Sequence, residues 1–277
     1  MAPFASMQKA GPVKTIEIDR PFAVFSDVHG NLPGLEAILA DIARRGVART
    51  LSLGDLVGYG PSPNEVALLV RDSGIPSLMG NYDQGIGFET GDCGCVYKTD
   101  EQRAEGAASL AWTQDAVSDE VKAYLRTLED HFRLKTPAGE ILAVHGSPRR
   151  INEYLFEDRP VSAMERMARE NPYPAILFGH THLPYARQVA DTTFVNVGSG
   201  GRPKDGDWRV CYAIVDPARL GDGEGFVEFV RVPYDYDRLG RELAATPLVT
   251  SFAGPSAAWT EPAPTCAAGR TRPEGAW

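Results

Sequence analysis

The sequence predicts an α/β fold in which helices pack on a sheet of parallel strands. Short apolar strands alternate with amphipathic helices through residues 22–79, and this alternation is typical of parallel strands. The second half of the chain is rich in strands, which indicates two β-sheets packed as a sandwich. Polar residues follow each strand of the first half, and in such sheets functional sites form at the carboxyl ends of the strands.

The first half contains three strand–helix units. Residues 22–26 form a short, continuous apolar run, as expected for a strand buried on both faces. The helix that follows has Leu35, Ile38 and Ile42 on one face and ends near Gly46. The expected elements are strands at 22–26, 50–53 and 75–79 and helices at 32–45 and 63–73.

The second half begins with a Gly-rich segment, residues 85–100, that has no clear period and could form a lid over a site. Two helices are expected at 101–115 and 118–128, and a third at 161–170. The expected strands are 131–135, 141–144, 175–178, 187–190, 193–197, 210–215 and 226–232. We expect one folded domain at residues 15–240, between a flexible arm at residues 1–14 and a Pro/Ala-rich tail at residues 241–277.

Composition excludes several classes of protein. No apolar run approaches the ~20 residues that a membrane-spanning helix needs, and the N-terminus lacks the apolar region of a signal peptide. A net charge of −9 argues against binding of long nucleic acids. The four cysteines have no zinc-finger spacing. Because no secretory signal is seen, reduced thiols and a cytoplasmic location are expected. Cys93 and Cys95 form either a redox or metal element or two small residues of a loop.

Seven Asp, His and Asn side chains stand at the ends of apolar strands. They are Asp27, His29, Asp55, Asn81, His145, His180 and His182. Any one of them could cap a helix or a turn. Capping does not explain why five separate strand ends carry only these residue types.

These donors suit a pair of metal ions. Two carboxylates, one amide oxygen and four imidazoles are too many for one zinc ion, and they fit two divalent ions of the Mn, Fe, Co or Zn type bridged by a carboxylate. Asp55, central in the order of the motifs, is the expected bridge. Two such ions with two aspartates leave a net positive charge, which attracts a phosphate dianion.

The order of the motifs resembles that of the calcineurin-like metallophosphoesterases. D-x-H-G-N, G-D, G-N-x-[DE], an isolated His and G-H-[ST]-H follow one another over residues 21–235, and GDLVGYGPSP and HGSP resemble the small prokaryotic phosphodiesterase branch. The resemblance implies a four-layer αββα sandwich of two mixed sheets. It also implies hydrolysis of small phosphomonoesters or phosphodiesters, cyclic nucleotides among them, by in-line attack of a metal-bridging hydroxide.

The resemblance also divides the ligands between two ions. One ion is held by Asp27, His29, Asp55 and His182, and the other by Asp55, Asn81, His145 and His180. Mn²⁺ is the first expectation, with Fe²⁺, Co²⁺ and Zn²⁺ as alternatives. The expected partner is a small phosphate ester or nucleotide, and a homo-oligomer is compatible with the sequence.

The sequence departs from the family at Tyr82. The family wording is G-N-H-[DE], in which the histidine assists the leaving group and the acid orients it, whereas this chain has GNYD at residues 80–83. A phenol with a pKa of about 10 is a weaker proton donor than imidazolium. Tyr82 is therefore a surrogate acid or an aromatic wall, Asp83 holds either Tyr82 or the loop, and Gly80 provides a turn that aims Asn81. We expect an alkaline optimum and a preference for aryl or cyclic phosphodiesters.

Several other polar residues are candidates for contact with the substrate. Arg202 is expected to act at the reacting phosphate, and Arg149, Arg150, Lys204 and Asn31 are expected to bind substrate. The alternative is that the basic residues are solvated loop charges and that Asn31 caps a helix. Three alternative functions also stay open: a non-catalytic scaffold, a thiol protein that uses Cys93 and Cys95, and a hydrolase of carbon substrates such as amides.

Overall fold

Two mixed β-sheets lie face to face between layers of helices in the computed structural model, which describes residues 14–97, 99–221 and 225–248. The strands are β1 (Lys14–Glu17), β2 (Phe22–Phe25), β3 (Thr50–Ser52), β4 (His131–Thr136), β5 (Gly139–Val144), β6 (Ala175–Phe178), β7 (Tyr185–Val189), β8 (Thr192–Asn196), β9 (Val210–Val215) and β10 (Val227–Val232). The helices are α1 (Leu32–Arg44), α2 (Pro63–Asp72), α3 (Asn81–Gly87), α4 (Asp100–Ala116), α5 (Asp119–Leu125), α6 (Val161–Glu170) and α7 (Tyr236–Ala244).

Each sheet combines parallel and antiparallel pairs. The larger sheet has the order β1-β4-β5-β6-β8-β7, in which β5, β6 and β8 run parallel to one another. The smaller sheet has the order β10-β9-β2-β3, in which only β2 and β3 are parallel. The carboxyl ends of β2, β3, β5 and β6 carry the residues of the candidate site.

Alternating side chains of β2 face two different cores. Phe22 and Val24 pack between the two sheets, whereas Ala23 and Phe25 pack against the helices that cover the smaller sheet, α1 and α2 among them. A third core lies between α6, through Met164 and Met167, and the outer face of the larger sheet. The order of layers is therefore helix, sheet, sheet, helix, which confirms the expected αββα sandwich.

The third expected strand, at 75–79, is the largest error in the first half. Ser77 and Leu78 form only isolated bridges, to Ser52 and Glu129. Pro76 has no N–H to donate to a ladder, so this stretch cannot continue one. The residues that follow were expected to form a loop, but GNYD begins helix α3.

The expected boundaries also shift at both ends. Lys14, expected in the arm, is the first residue of β1, and α7 extends past residue 240 to Ala244. Residues 1–13 and 249–277, which hold the rest of the expected arm and tail, lie outside the described residues. In the expected lid, residues 85–87 belong to α3 and Asp100 to α4, while 88–97 are irregular.

Two further findings concern expectations from composition. In residues 14–97, 99–221 and 225–248, no helix is both long enough and apolar enough to cross a membrane. Cys93, Cys95 and Cys211 carry free thiols. The cytoplasmic location stays a prediction.

Candidate metal centre

The seven candidate ligands gather at one edge of the two sheets. Six of them follow strands directly: Asp27 and His29 after β2, Asp55 after β3, His145 after β5, and His180 and His182 after β6. Asn81 is the first residue of α3. All seven side chains are at most 3% exposed. The structure therefore brings together in one buried place every residue that the sequence predicts as a ligand.

Asp27, His29 and His182 form the first cluster, with ligand atoms that lie within 4.8 Å of one another. The Nε2 atoms of His29 and His182 are 3.2 Å apart. Asp27 Oδ1 is 3.4 Å from Nε2 of His182 and 3.8 Å from Nε2 of His29. Three donor atoms thus converge on one point.

Asp55, His145 and His180, with Asn81 beside them, form the second cluster. Nε2 of His145 lies 3.4 Å from Asp55 Oδ2 and 3.1 Å from Asn81 Oδ1. The same Asp55 oxygen is 3.6 Å from Nε2 of His29 in the first cluster. A carboxylate oxygen within reach of both clusters has the position that a bridging ligand requires.

Main-chain carbonyls fix the orientation of the imidazoles. The Nδ1 atoms of His29, His145 and His182 lie 3.0, 2.8 and 2.6 Å from the carbonyl oxygens of Val57, Leu53 and Arg202, respectively. An N–H at Nδ1 leaves the lone pair at Nε2, as in metal sites where an outer hydrogen bond sets the tautomer. Each ring therefore directs its Nε2 atom into the centre.

This concentration of acceptors fits a cation. Two Nε2 acceptors at 3.2 Å repel each other unless a positive charge is shared between them. Within the described part of the chain, Asp27 Oδ1 and His180 Nε2 are buried without a hydrogen-bond partner, which is costly in a protein interior. Imidazole nitrogen with carboxylate and amide oxygen suits divalent transition metals, so the residues present fit two such ions.

Burial and the neighbouring charges also favour metal binding. Burial lowers the pKa of His29 to about 4 and that of His180 to about 3, so both rings are neutral near pH 7. For His145, burial acts in the same direction, but the Asp55 carboxylate outweighs it and raises the pKa to about 9. A metal ion at Asp55 would take the place of the His145 proton, so binding would release that proton.

Five of the ligands lie on strained backbone. Their φ angles are 55° for Asp27, 49° for His29, 55° for Asp55, 64° for His180 and 63° for His182. Residues other than glycine rarely adopt this left-handed conformation, which costs about 1–3 kcal/mol each and is concentrated at functional sites. The fold thus holds these side chains in an unfavourable conformation that points them at one centre.

The GNYD residues organise the loop that carries Asp55. The Asp83 carboxylate accepts hydrogen bonds from the backbone N–H groups of Asp55, Leu56 and Gly80, at 2.8–2.9 Å. Of the two roles left open for Asp83, the structure therefore places it on the loop. Gly80 is the N-cap residue directly before Asn81, with φ −86° and ψ 172°. Gly80 is small because a Cβ there would lie 2.1 Å from Asp55 Oδ1.

Tyr82 is enclosed on all sides. It is 1% exposed, its ring packs edge-on against His29 at 5.4 Å, and a Cβ on Gly58 would meet that ring at 2.3 Å. Its hydroxyl is buried without a hydrogen bond of normal geometry among the described residues. Burial, followed by the nearby Tyr59, raises its pKa well above the ordinary value.

Tyr59 is the functional candidate that the sequence analysis missed. Its ring packs edge-on against His29 at 5.0 Å, and the Arg202 guanidinium lies 4.1 Å from its centroid. Tyr59 itself has a φ of 58° between two glycines of GDLVGYGPSP. The sequence signal that could have identified Tyr59 was its position inside that motif.

The other expected substrate contacts divide into two groups. Asn31 is fully buried and its amide already has partners, because it caps α1 through Gly34 N–H at 2.9 Å and donates to Gly201 O at 2.9 Å. Arg149 forms an ion pair with Glu153. Lys204 and Arg202, in contrast, both lie close enough to the first cluster to lower the pKa of His29.

Two known proteins are similar in sequence to this chain. The chain is 32% identical over 231 residues to an uncharacterized protein of Methanocaldococcus jannaschii, which covers 77% of this chain and 87% of that protein. It is 25% identical over 191 residues to phosphodiesterase YfcE of Escherichia coli, covering 69% and 84%, respectively.

Two solved structures are similar to this chain. A metallophosphoesterase of Sphaerobacter thermophilus is 30% identical with a TM-score of 0.64, covering 85% of this chain and 99% of that one. A hypothetical protein of Pyrococcus horikoshii is 25% identical with a TM-score of 0.68, covering 83% and 93%, respectively. The family profile for the calcineurin-like phosphoesterase superfamily domain matches residues 21–219. The chain therefore belongs to the calcineurin-like phosphoesterase superfamily.

Proposed function

We propose that the protein is a phosphoesterase that binds two divalent metal ions and hydrolyses small phosphate esters. The observation that carries the proposal is the Asp55 carboxylate, whose Oδ2 lies within 3.6 Å of Nε2 atoms in both clusters. The first cluster would hold one ion and the second cluster, with Asn81, the other. Mn²⁺ is the first ion to test, followed by Fe²⁺, Co²⁺ and Zn²⁺.

The bound ions would supply Lewis acidity toward the phosphoryl oxygens and an activated water at neutral pH. The chain's own contribution is positioning and charge. Asp27 and Asp55 leave the loaded centre with a net positive charge, because two divalent ions bring more charge than two carboxylates neutralise. Arg202, fixed against the Tyr59 ring, and Lys204 add positive charge beside the first cluster. Such a place favours a phosphate anion.

The surroundings of Tyr82 support the aromatic-wall interpretation over the surrogate acid. A buried phenol with a strongly raised pKa gives up its proton poorly. Without a histidine at this position, esters whose leaving groups need little protonation should react best. Aryl phosphodiesters have this property, and the E. coli relative is named a phosphodiesterase. Cyclic phosphodiesters release a sugar alkoxide and are tested beside them.

The test is a substrate panel with metal-stripped protein. p-Nitrophenyl phosphate, bis(p-nitrophenyl) phosphate and the 2′,3′- and 3′,5′-cyclic nucleotides are assayed with and without each metal. We expect hydrolysis only after metal is added and fastest turnover of the aryl diester. Two bound ions per chain with no hydrolysis of any ester would instead indicate the non-catalytic scaffold. Turnover of amide substrates alone would indicate the carbon hydrolase.

A further inference from the structure

An open cavity of about 640 Å³ lies beside the second cluster. Its walls come from the loop after β5 and from the irregular segment between α3 and α4. The lining residues that matter here are Val96, Arg149, Arg150, Glu153, Tyr154 and Arg159. We call it the arginine cavity. Its volume falls in the range of ~300–1,000 Å³ typical of small-molecule sites.

Tyr154 connects the arginine cavity to the metal centre. Its ring lies 4.0 Å, centroid to centroid, from the ring of His180, and it also lines the cavity. A molecule in the cavity is therefore separated from the second cluster by one side chain. The wall is cross-linked, because Asn152 Nδ2 donates to Gly94 O at 3.0 Å and the Val96 backbone hydrogen-bonds Tyr154.

The charge of the cavity is strongly positive. Three arginines face a single carboxylate, Glu153, which already pairs with Arg149 and, at 2.9 Å, with Arg159. Arg150 is exposed and forms no ion pair within the residues that the structure describes. An unpaired guanidinium in a positive cavity is suited to bidentate recognition of a phosphate.

The same cavity offers apolar surface. The Val96 side chain is 71% exposed, which is unusual for a large apolar residue among the described ones. The Tyr154 ring, which packs against His180 and stacks on Phe156 at 5.7 Å, lines the cavity with it. A flat ring that packs on Val96 and Tyr154 while an anion contacts Arg150 matches a nucleotide, which joins a base to a phosphate.

We propose that the arginine cavity binds the part of the substrate beyond the scissile ester, and that this part is a nucleotide with a second phosphate held by Arg150. The proposal rests on the proposed function only in that the scissile ester lies at the metal centre. It narrows the substrate class from small phosphate esters in general to short nucleotides that carry a terminal phosphate.

The test compares two dinucleotides with the same scissile bond, ApA and its 5′-phosphorylated form pApA, with Mn²⁺-loaded protein. We expect kcat/KM to favour pApA by about 10- to 100-fold, the effect of a charge-assisted contact between arginine and phosphate. Arg150→Gln should remove most of this preference through KM for pApA. Val96→Asp, at an exposed position, should do the same because it adds a negative charge to the cavity.

Arg49→Gln is the matched control, since Arg49 is exposed and directly precedes β3, at the opposite end of that strand from Asp55. It should keep the preference for pApA. Equal kcat/KM for both dinucleotides, or an unchanged preference in Arg150→Gln, would overturn the proposal. If the protein hydrolyses no ester at all, calorimetric titration with adenosine 3′,5′-bisphosphate separates the two questions. Binding that Arg150→Gln weakens at least tenfold supports the cavity even then, and binding equal in both proteins refutes it.

Discussion

The two metal clusters have nearly the same donors but are supported differently. All three residues of the first cluster have left-handed φ angles, and main-chain groups of Val57, Arg202 and His180 hydrogen-bond their side chains. In the second cluster, Asn81 depends on the irregular segment after α3, through Cys93 O at 3.0 Å and Cys95 Sγ at 3.2 Å. The first cluster is thus fixed by the core of the fold, whereas the second depends partly on a surface segment. We infer that the second ion binds more weakly.

The largest effect should come from removing the residue that the clusters share. Asp55→Asn takes away the negative charge and one of the two equivalent oxygens at the bridge. We expect metal content, measured by atomic emission, to fall below one ion per chain. Activity on bis(p-nitrophenyl) phosphate should fall by at least about 10³-fold, more than the 10- to 100-fold typical of an outer-shell partner.

The exposed Asp72, which pairs with Arg71, provides the control for loss of a carboxylate. Asp72→Asn should retain both ions and full activity. If Asp55→Asn kept two ions per chain, the clusters would be independent and the comparison between them would lose its basis.

Asp83 supports the second cluster but is not one of the candidate ligands. Asp83→Asn replaces an acceptor of three short backbone N–H bonds, and an amide offers only one acceptor oxygen. Buried donors left unpaired cost about 1–3 kcal/mol each. We therefore expect the free energy of unfolding, measured in urea without metal, to fall by about 2–4 kcal/mol.

The two clusters should also respond differently to Asp83→Asn. Asp83 accepts from the N–H of Asp55 at 2.8 Å, but from the N–H of Val57, whose carbonyl holds His29, only at 3.3 Å. In a calorimetric titration with Mn²⁺, the Kd of the weaker site should therefore rise by about 10- to 100-fold, and the Kd of the stronger site should rise less. An equal rise of both Kd values would contradict the inference that the protein supports the two clusters differently.

The sequence could predict the ligands that directly follow apolar strands. Asp27, His29 and Asp55 could be placed because each follows a short apolar strand, and strand ends in a parallel arrangement meet at one edge. The four-layer arrangement followed from the strand-rich second half and the family resemblance. These predictions need only local pattern and the known order of layers.

The remaining features depend on contacts between distant segments. Asn31 stands within the D-x-H-G-N motif, but its side chain is used by Gly34 and by Gly201, which lies on another loop. Tyr59 became a candidate because its ring contacts Arg202, which lies on a different loop. The apolar run at 75–79 forms only isolated bridges, to Ser52 and Glu129, and these partners lie on other segments. Local pattern does not contain such information.

A smaller effect should single out the second cluster. Cys95→Ala removes the sulfur that accepts a hydrogen bond from the Asn81 amide and leaves the bond to Cys93 O. A hydrogen bond of this kind contributes about 0.5–1 kcal/mol, so the weaker Mn²⁺ step should weaken by about 2- to 5-fold. Cys93→Ala is the matched control, because only its carbonyl contacts Asn81. At saturating Mn²⁺ both variants should keep full turnover, and a large loss in both would favour a redox role for the thiols.

The smallest effect concerns the wall that borders the first cluster. Tyr82→Phe removes a hydroxyl that is buried without a normal hydrogen bond among the described residues, and it leaves the contact of the ring with His29 in place. We expect turnover of aryl and alkyl phosphodiesters to change by less than about threefold, and to the same extent. A surrogate acid would behave differently, since general acid catalysis is worth about 10²–10⁴ in rate and matters most for alkyl leaving groups. A loss of that size confined to the alkyl ester would make Tyr82 the proton donor.

Tyr82→Ala should instead destabilise the fold by about 3–5 kcal/mol, because it empties the space beside Gly58. A large effect of Tyr82→Ala with a negligible effect of Tyr82→Phe would identify the ring, and not the hydroxyl, as the functional part of the side chain.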